Sequence, residues 1–193
     1  VIRSRTALLL VLALGAACGG GSSSREDRND QAPPSGSAAP GDVDAGSGEP
    51  LAKATVNLYF PSASAERLVA ERREIIETPR PADRGAQILA ALLEGPQSSE
   101  ALPAVPEGTT LYRLWVRDDG TAYADFSGEL AQGLAGSSQE ILTLYAIVDS
   151  LAMNVPEIKR VAVLVNGRER ETLGGHVDVR RPLPPEPDLV AQE

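Results

Sequence analysis

Between residues 53 and 181 the apolar positions recur with two periods, one near 2 and one near 3.6 residues, and the switches between them divide the chain into elements. Thr55-Val-Asn-Leu-Tyr-Phe60 is rich in β-branched and aromatic residues and stops at Pro61, which predicts a strand. Arg67–Ile76 has helix-compatible early residues, but its place between two proline-containing breaks favours a second strand. Behind Asp83, the expected cap, Ile88, Leu89, Leu92 and Leu93 recur at helical spacing until Gly95-Pro96 forbids continuation. Thr110–Arg117 alternates, with Tyr112, Leu114 and Val116 on one face and Arg113, Trp115 and Arg117 on the other. Asp119-Gly120 then turns the chain into Ala122-Tyr-Ala-Asp-Phe126, a hairpin pattern. Ser137-Ser-Gln-Glu140 has the spacing of a capping box, in which Ser137 and Glu140 would satisfy each other's loose amides. Ile141, Leu144, Tyr145, Val148, Leu151 and Ala152 follow as one apolar stripe that ends at Pro156. Arg160–Val165, the turn pair Asn166-Gly167 and Arg168–Leu173 predict a second hairpin. The order ββαββαββ predicts an α+β domain, two helices packed on a mainly antiparallel sheet.

The ends of the chain break this pattern. Residues 1–17 place Arg3 and Arg5 before an uncharged run, Ala7–Ala17, that is too short to cross a hydrocarbon core of about 30 Å. Small residues then meet Cys18, the only cysteine, at the spacing of a bacterial lipoprotein signal. The lipobox pattern has Leu three places before the cysteine; here that place is Gly15 and Leu14 lies one step earlier. A plain secretory signal cut near Ala17 is the other reading. Either way the chain is expected to be exported to the cell envelope, and with Cys18 acylated (palmitate among its chains) a membrane would hold it. In residues 18–50 Gly, Ser and Pro predominate and no aromatic occurs, so this stretch is expected to be a disordered tether spanning about 30 Å as a coil. Residues 53–182 hold all seven aromatics and are expected to form the one folded domain, with 183–193 a Pro-rich disordered tail. The formal charge of −9 argues against a sequence-independent nucleic-acid binder, and one cysteine excludes an internal disulfide framework.

Six pieces in order, Val56–Phe60, Ala91–Pro96, Val105–Thr109, Ala124–Ser127, Leu144–Val148 and Leu173–Asp178, make residues 54–182 resemble the GerMN domain. That family occurs in spore-germination proteins and in many bacterial lipoproteins. The resemblance implies a fold similar to the ring-building motifs of secretion-type envelope assemblies. It also implies a non-catalytic domain that acts through protein–protein contacts, with an unidentified envelope protein or with its own copies.

The catalytic inventory agrees with a non-enzyme. The sequence has no Gly-x-Ser-x-Gly, His-Glu-x-x-His, P-loop or strand-linked Gly-x-Gly-x-x-Gly. His176 is the only imidazole, so a triad with a second histidine, or a two-histidine metal site, is outside the reach of one chain. His176 and Asp178 could pair as base and orienting carboxylate; alternatively Gly174-Gly175 makes a tight turn and His176 packs at the sheet end. Asp118 and Asp119 sit where a turn favours Asp, and Asp125 with Glu129 falls short of the six to eight oxygens calcium takes. No metal, cofactor or catalytic residue is therefore expected. The mixed-charge run Glu66–Glu74 reads as a solvated face. Trp115 with Arg113 and Arg117 has the composition of an interface if no helix covers their face, and is ordinary core if one does. The competing functional class is a small-ligand or peptidoglycan-binding lipoprotein, with a pocket around Arg113, Trp115 and His176.

Overall fold

The computed structural model describes residues 51–134 and 136–191. The expected signal peptide (1–17), the acylated Cys18 and the tether (18–50) lie outside the described residues. Two helices and two sheets make up the domain, an α+β fold as expected. Strands β1 (Lys53–Pro61) and β2 (Leu68–Ile76) form an antiparallel hairpin in which Lys53 faces Ile76 and Pro61 faces Leu68. Helix α1 (Pro81–Leu93) leads to β3 (Leu111–Val116) and β4 (Thr121–Phe126), also antiparallel. Helix α2 (Ser137–Ala152) crosses over to β5 (Arg160–Val165), which therefore lies parallel to β4, and a two-residue β6 (Arg168–Glu169) closes that edge. The strands thus divide between a two-stranded sheet and a four-stranded one of order β3-β4-β5-β6.

The period-2 pattern explains the second sheet directly. Ala122, Ala124 and Phe126 of β4 and Val161, Val163 and Val165 of β5 are buried on one face against the helices. At Gly85, α1 lies so close to β3 that a Cβ there would stand 2.5 Å from Leu114 Cδ2. Helix α2 is buried nearly all round, with every residue from Leu142 to Leu151 buried except Tyr145. Its second apolar side is covered by β1, whose outward edge it also closes. Ser150 Oγ accepts the Tyr59 N–H at 3.0 Å, and just beyond the helix Asn154 takes the Asn57 N–H (2.9 Å) and returns a bond to the Asn57 carbonyl (2.6 Å). A side-chain amide there does what a neighbouring strand would do.

Several expectations need correcting. Helix α1 begins at Pro81, so Asp83 sits inside the first turn and pairs with Arg80 at 2.8 Å instead of capping. The capping box does not form: Gly136 is the N-cap of α2, no side chain caps it, and Glu140 turns inward. The strand expected over 168–173 ends at Glu169. A register irregularity between Leu111 and Arg113 takes Tyr112 off the core face and leaves it 58% exposed. Within the mixed-charge run, Glu71 and Arg73 pair with each other and hold the turn after α1, through Gly95 O (3.0 Å) and the Gln97 and Ser98 amides (3.0 and 3.1 Å). The 183–191 stretch is a fixed strap and no disordered tail. Val161 and Leu183 exchange two backbone bonds of 2.8 Å, Glu186 N–H donates to Asp149 Oδ1 at 2.9 Å, and Ala191 N–H reaches Leu68 O at 2.7 Å.

Candidate functional site

Alternation along β3 and β4 sends Trp115 and Tyr123 to the face of the sheet opposite the helices. They stand directly across from each other in the register and stack, with centroids 5.1 Å apart and ring planes 4° apart. Arg113 on the same face brings its guanidinium carbon to 6.0 Å from the Trp115 centroid. At the other end of the strand Arg117 is hydrogen-bonded to the Tyr123 hydroxyl, which together with Asp119 and Asp118 raises its pKa. An aromatic pair of this kind contributes about 0.5–1.5 kcal/mol, and an exposed cation–π contact about 0.5–1 kcal/mol. Both rings are half-buried, and neither belongs to the hydrophobic core.

Polar groups frame this face. Arg160 donates to Thr121 Oγ1 (2.8 Å) and pairs with Asp119 (3.1 Å). Asp119 is held below the ordinary carboxylate range first by the Thr121 amide, then by the Thr121 hydroxyl and Arg160. Asp125 is buried and accepts the Gly167 N–H at 2.7 Å, which fixes the β5–β6 turn. Glu129, its suggested companion, has a pKa lowered by Ser127. No group of three or more His, Cys, Asp or Glu side chains suited to a metal ion gathers among the described residues.

The two other residues singled out from sequence are not partners of each other. Asp178 is bound by Arg180 (Nη2–Oδ2 2.7 Å, Nε–Oδ1 2.9 Å), which lowers its pKa to about 2. His176 instead meets Glu140, Nδ1 to Oε2 at 3.1 Å. Glu140 is completely buried in the first turn of α2, and its carboxylate also accepts the N–H groups of Leu173, Gly174 and His176 at 2.8–2.9 Å. Burial alone would raise its pKa; the backbone donors outweigh burial and hold it below the usual value. Gly174 is required there, since a Cβ would stand 2.9 Å from Leu134 Cβ and 3.2 Å from Glu140 Oε2. Chemically this is an anchor. The imidazole, 43% exposed on its side chain, faces a carboxylate already committed to backbone amides.

An apolar cavity of about 440 Å³ lies beside α2, lined by Pro61, Leu102–Pro106, Leu142 and Thr143 among others, and by none of Arg113, Trp115 or His176. The sequence pattern places Tyr123 in a strand and Glu140 in a helix start without marking either as a site residue. Tyr123 could have been found by counting across the Asp119-Gly120 turn from Trp115. Glu140 was hidden by a capping pattern that fitted it to a different role.

Among curated proteins no match was found. Likenesses among solved structures include the following three. A candidate lipoprotein from Clostridium perfringens is 26% identical, with TM-score 0.50, over 71% of this chain and 92% of that one. The first GerMN domain of the sporulation protein GerM from Bacillus subtilis is 20% identical, with TM-score 0.57, over 68% of this chain and 97% of that one. The tandem GerMN domains of the same protein match at 19% identity and TM-score 0.57, over 70% of this chain and 47% of theirs. The Germane model, described as sporulation and spore germination, matches residues 57–171. That span runs from within β1 through β6 and exceeds half of the sequence, so the chain belongs to the Germane family of sporulation and spore-germination domains.

Proposed function

We propose that this protein is an exported, membrane-tethered envelope component whose GerMN domain is non-catalytic and binds another envelope protein or further copies of itself. The observation that carries the reading is the stacked Trp115–Tyr123 pair flanked by Arg113 and Arg117 on a sheet face outside the hydrophobic core. Such aromatic–arginine clusters concentrate binding energy at interfaces. The basic, apolar start of the chain and Cys18 support export and acylation, and the likeness to a candidate lipoprotein supports the same location.

The test places a photoreactive amino acid at 115 in the full-length protein in cells, with exposed Ile76 as the control position. A discrete adduct at 115, absent at 76 and lost on Arg113→Glu, is the expected result; equal or no adducts would refute the interface. Cys18→Ser should move the protein from the membrane fraction to the soluble one, and its retention would refute the acyl anchor. The second reading, a small-ligand or peptidoglycan binder, is favoured by the apolar cavity of about 440 Å³. Binding of muropeptides or an apolar dye that Thr143→Trp abolishes, with no adduct at 115, would favour it instead.

A further inference from the structure

Four strand edges could in principle accept an added strand, and the fold treats them differently. The edge of β1 is closed by Ser150 and Asn154, and the four-stranded sheet ends beyond β5 in the two-residue β6, with Leu183 paired to Val161. The edge of β2 is tied at both ends, to Ala191 at Leu68 and to the Gln87 side chain at Ile76. The edge of β3 is different. Arg117 N–H donates to Thr121 O at 2.9 Å, which makes 117/121 a hydrogen-bonded pair and therefore 115/123 the next. The N–H and C=O groups of Leu114 and Val116 thus point away from β4. Among the described residues no backbone or side-chain partner takes them up.

This edge adjoins a concavity. A crevice of about 510 Å³ runs between the end of β3 and the start of α1, lined by Val116, Arg117 and Asp118 on one side and Arg80, Pro81 and Ala82 on the other, with Glu157. A strand edge flanked by a helix is the geometry in which extended peptides add to sheets. Val116, Pro81 and Ala82 offer apolar walls for alternate side chains. The charges select the rest. Arg80 is neutralised by Asp83 and Glu157 by Arg84, the latter pair at 2.6 Å. Against Asp118 this leaves the guanidinium groups of Arg113 and Arg117. That is a locally basic strip on a chain of net charge −9.

We infer that the free edge of β3, facing α1 across this crevice, takes an extended segment of a partner protein in which apolar and acidic residues alternate. The inference rests on the interaction reading above and names the kind of partner that the site would hold.

Its test uses the full chain and a capped peptide alternating valine and glutamate, with a lysine-for-glutamate version and a backbone N-methylated version as controls. Amide hydrogen exchange and chemical shifts are read at Leu114 and Val116. The expected result is slowed exchange of both amides with an apparent Kd below about 1 mM. Binding should weaken as salt rises, fail with the N-methylated peptide, and switch to the lysine peptide in the Arg113→Glu/Arg117→Glu variant. No protection, or equal protection by acidic and basic peptides, would overturn it. So would amides already protected without peptide, whether lost on deleting residues 19–50 (the chain's own tether) or on dilution (a second copy). A discrete adduct at 115 alongside a failed peptide test would leave the interface reading standing and remove this one alone.

Discussion

Helix α2 carries a buried carboxylate near each end, and the surroundings treat the two in opposite ways. Glu140 accepts three backbone N–H groups and faces the His176 ring, and its pKa is lowered. Asp149 accepts one, from Glu186; its Oδ2 is buried without a partner, and burial raises its pKa to about 6. Both fasten later chain to the same helix. The number of donors decides whether such a fastening favours the ion or penalises it.

The largest effect should come from removing the well-served group. Glu140→Ala leaves three amides unpaired around a cavity and should cost about 3–5 kcal/mol in urea unfolding, with faster exchange at Gly174 and His176. A loss under about 1 kcal/mol would mean that other contacts hold the loop. Asp149→Asn should act the other way at high pH. The folded pKa lies above the ordinary 3.8, so the group's stabilising contribution is fully present below about 3.8 and is lost as pH rises through about 6. At about 1.4 kcal/mol per unit, the buried ion then costs up to about 3 kcal/mol, and Asn, which keeps the acceptor for Glu186 N–H, should recover about 2 kcal/mol at pH 8 and little at pH 4. An unchanged pH profile would remove the contrast. For Glu140 the sign reverses: its contribution is present above the ordinary 4.5 and lost as pH falls through its lowered folded value. Glu140→Gln should therefore flatten the acid side alone.

Smaller changes sharpen the comparison. Gly174→Ala forces the loop away from Leu134 and Glu140 and should cost about 1–2 kcal/mol, read as a lower urea midpoint. The least effect is expected from Glu186→Gln. It removes a nearby negative charge and should lower the Asp149 pKa, read by carboxyl NMR titration, while the backbone bond remains. An unmoved titration would show that burial alone sets the value.

What could be read in advance was local. The stop at Gly95-Pro96 and the turns at Gly120 and Asn166-Gly167 depend on residues adjacent in the chain, and all three occur, with positive φ at Gly95, Gly120, Asn166 and Gly167. The apolar stripe of α2 was likewise visible. The inward turn of Glu140 depends on amides 33 to 36 residues away, and no local pattern records them. The same holds for the strap, whose prolines suggested a free tail until Leu68, Asp149 and Val161 supplied its partners. At the candidate site, alternation placed Trp115, Arg113 and Arg117 together, and the fold added Tyr123. It separated His176 from Asp178, because each found a stronger partner elsewhere.

The position of β1 also has a mechanical consequence. Chain N-terminal to Lys53 enters the fold through this strand, so any tension carried by the first fifty residues is delivered there. With nine register pairs to β2 on one side and the Ser150 and Asn154 bonds of the α2 region on the other, a pull along the strand axis loads both flanks together. Extraction of β1 would then require many bonds to fail at once, so its lifetime under load is governed by the unfolding barrier and not by the equilibrium stability of the domain.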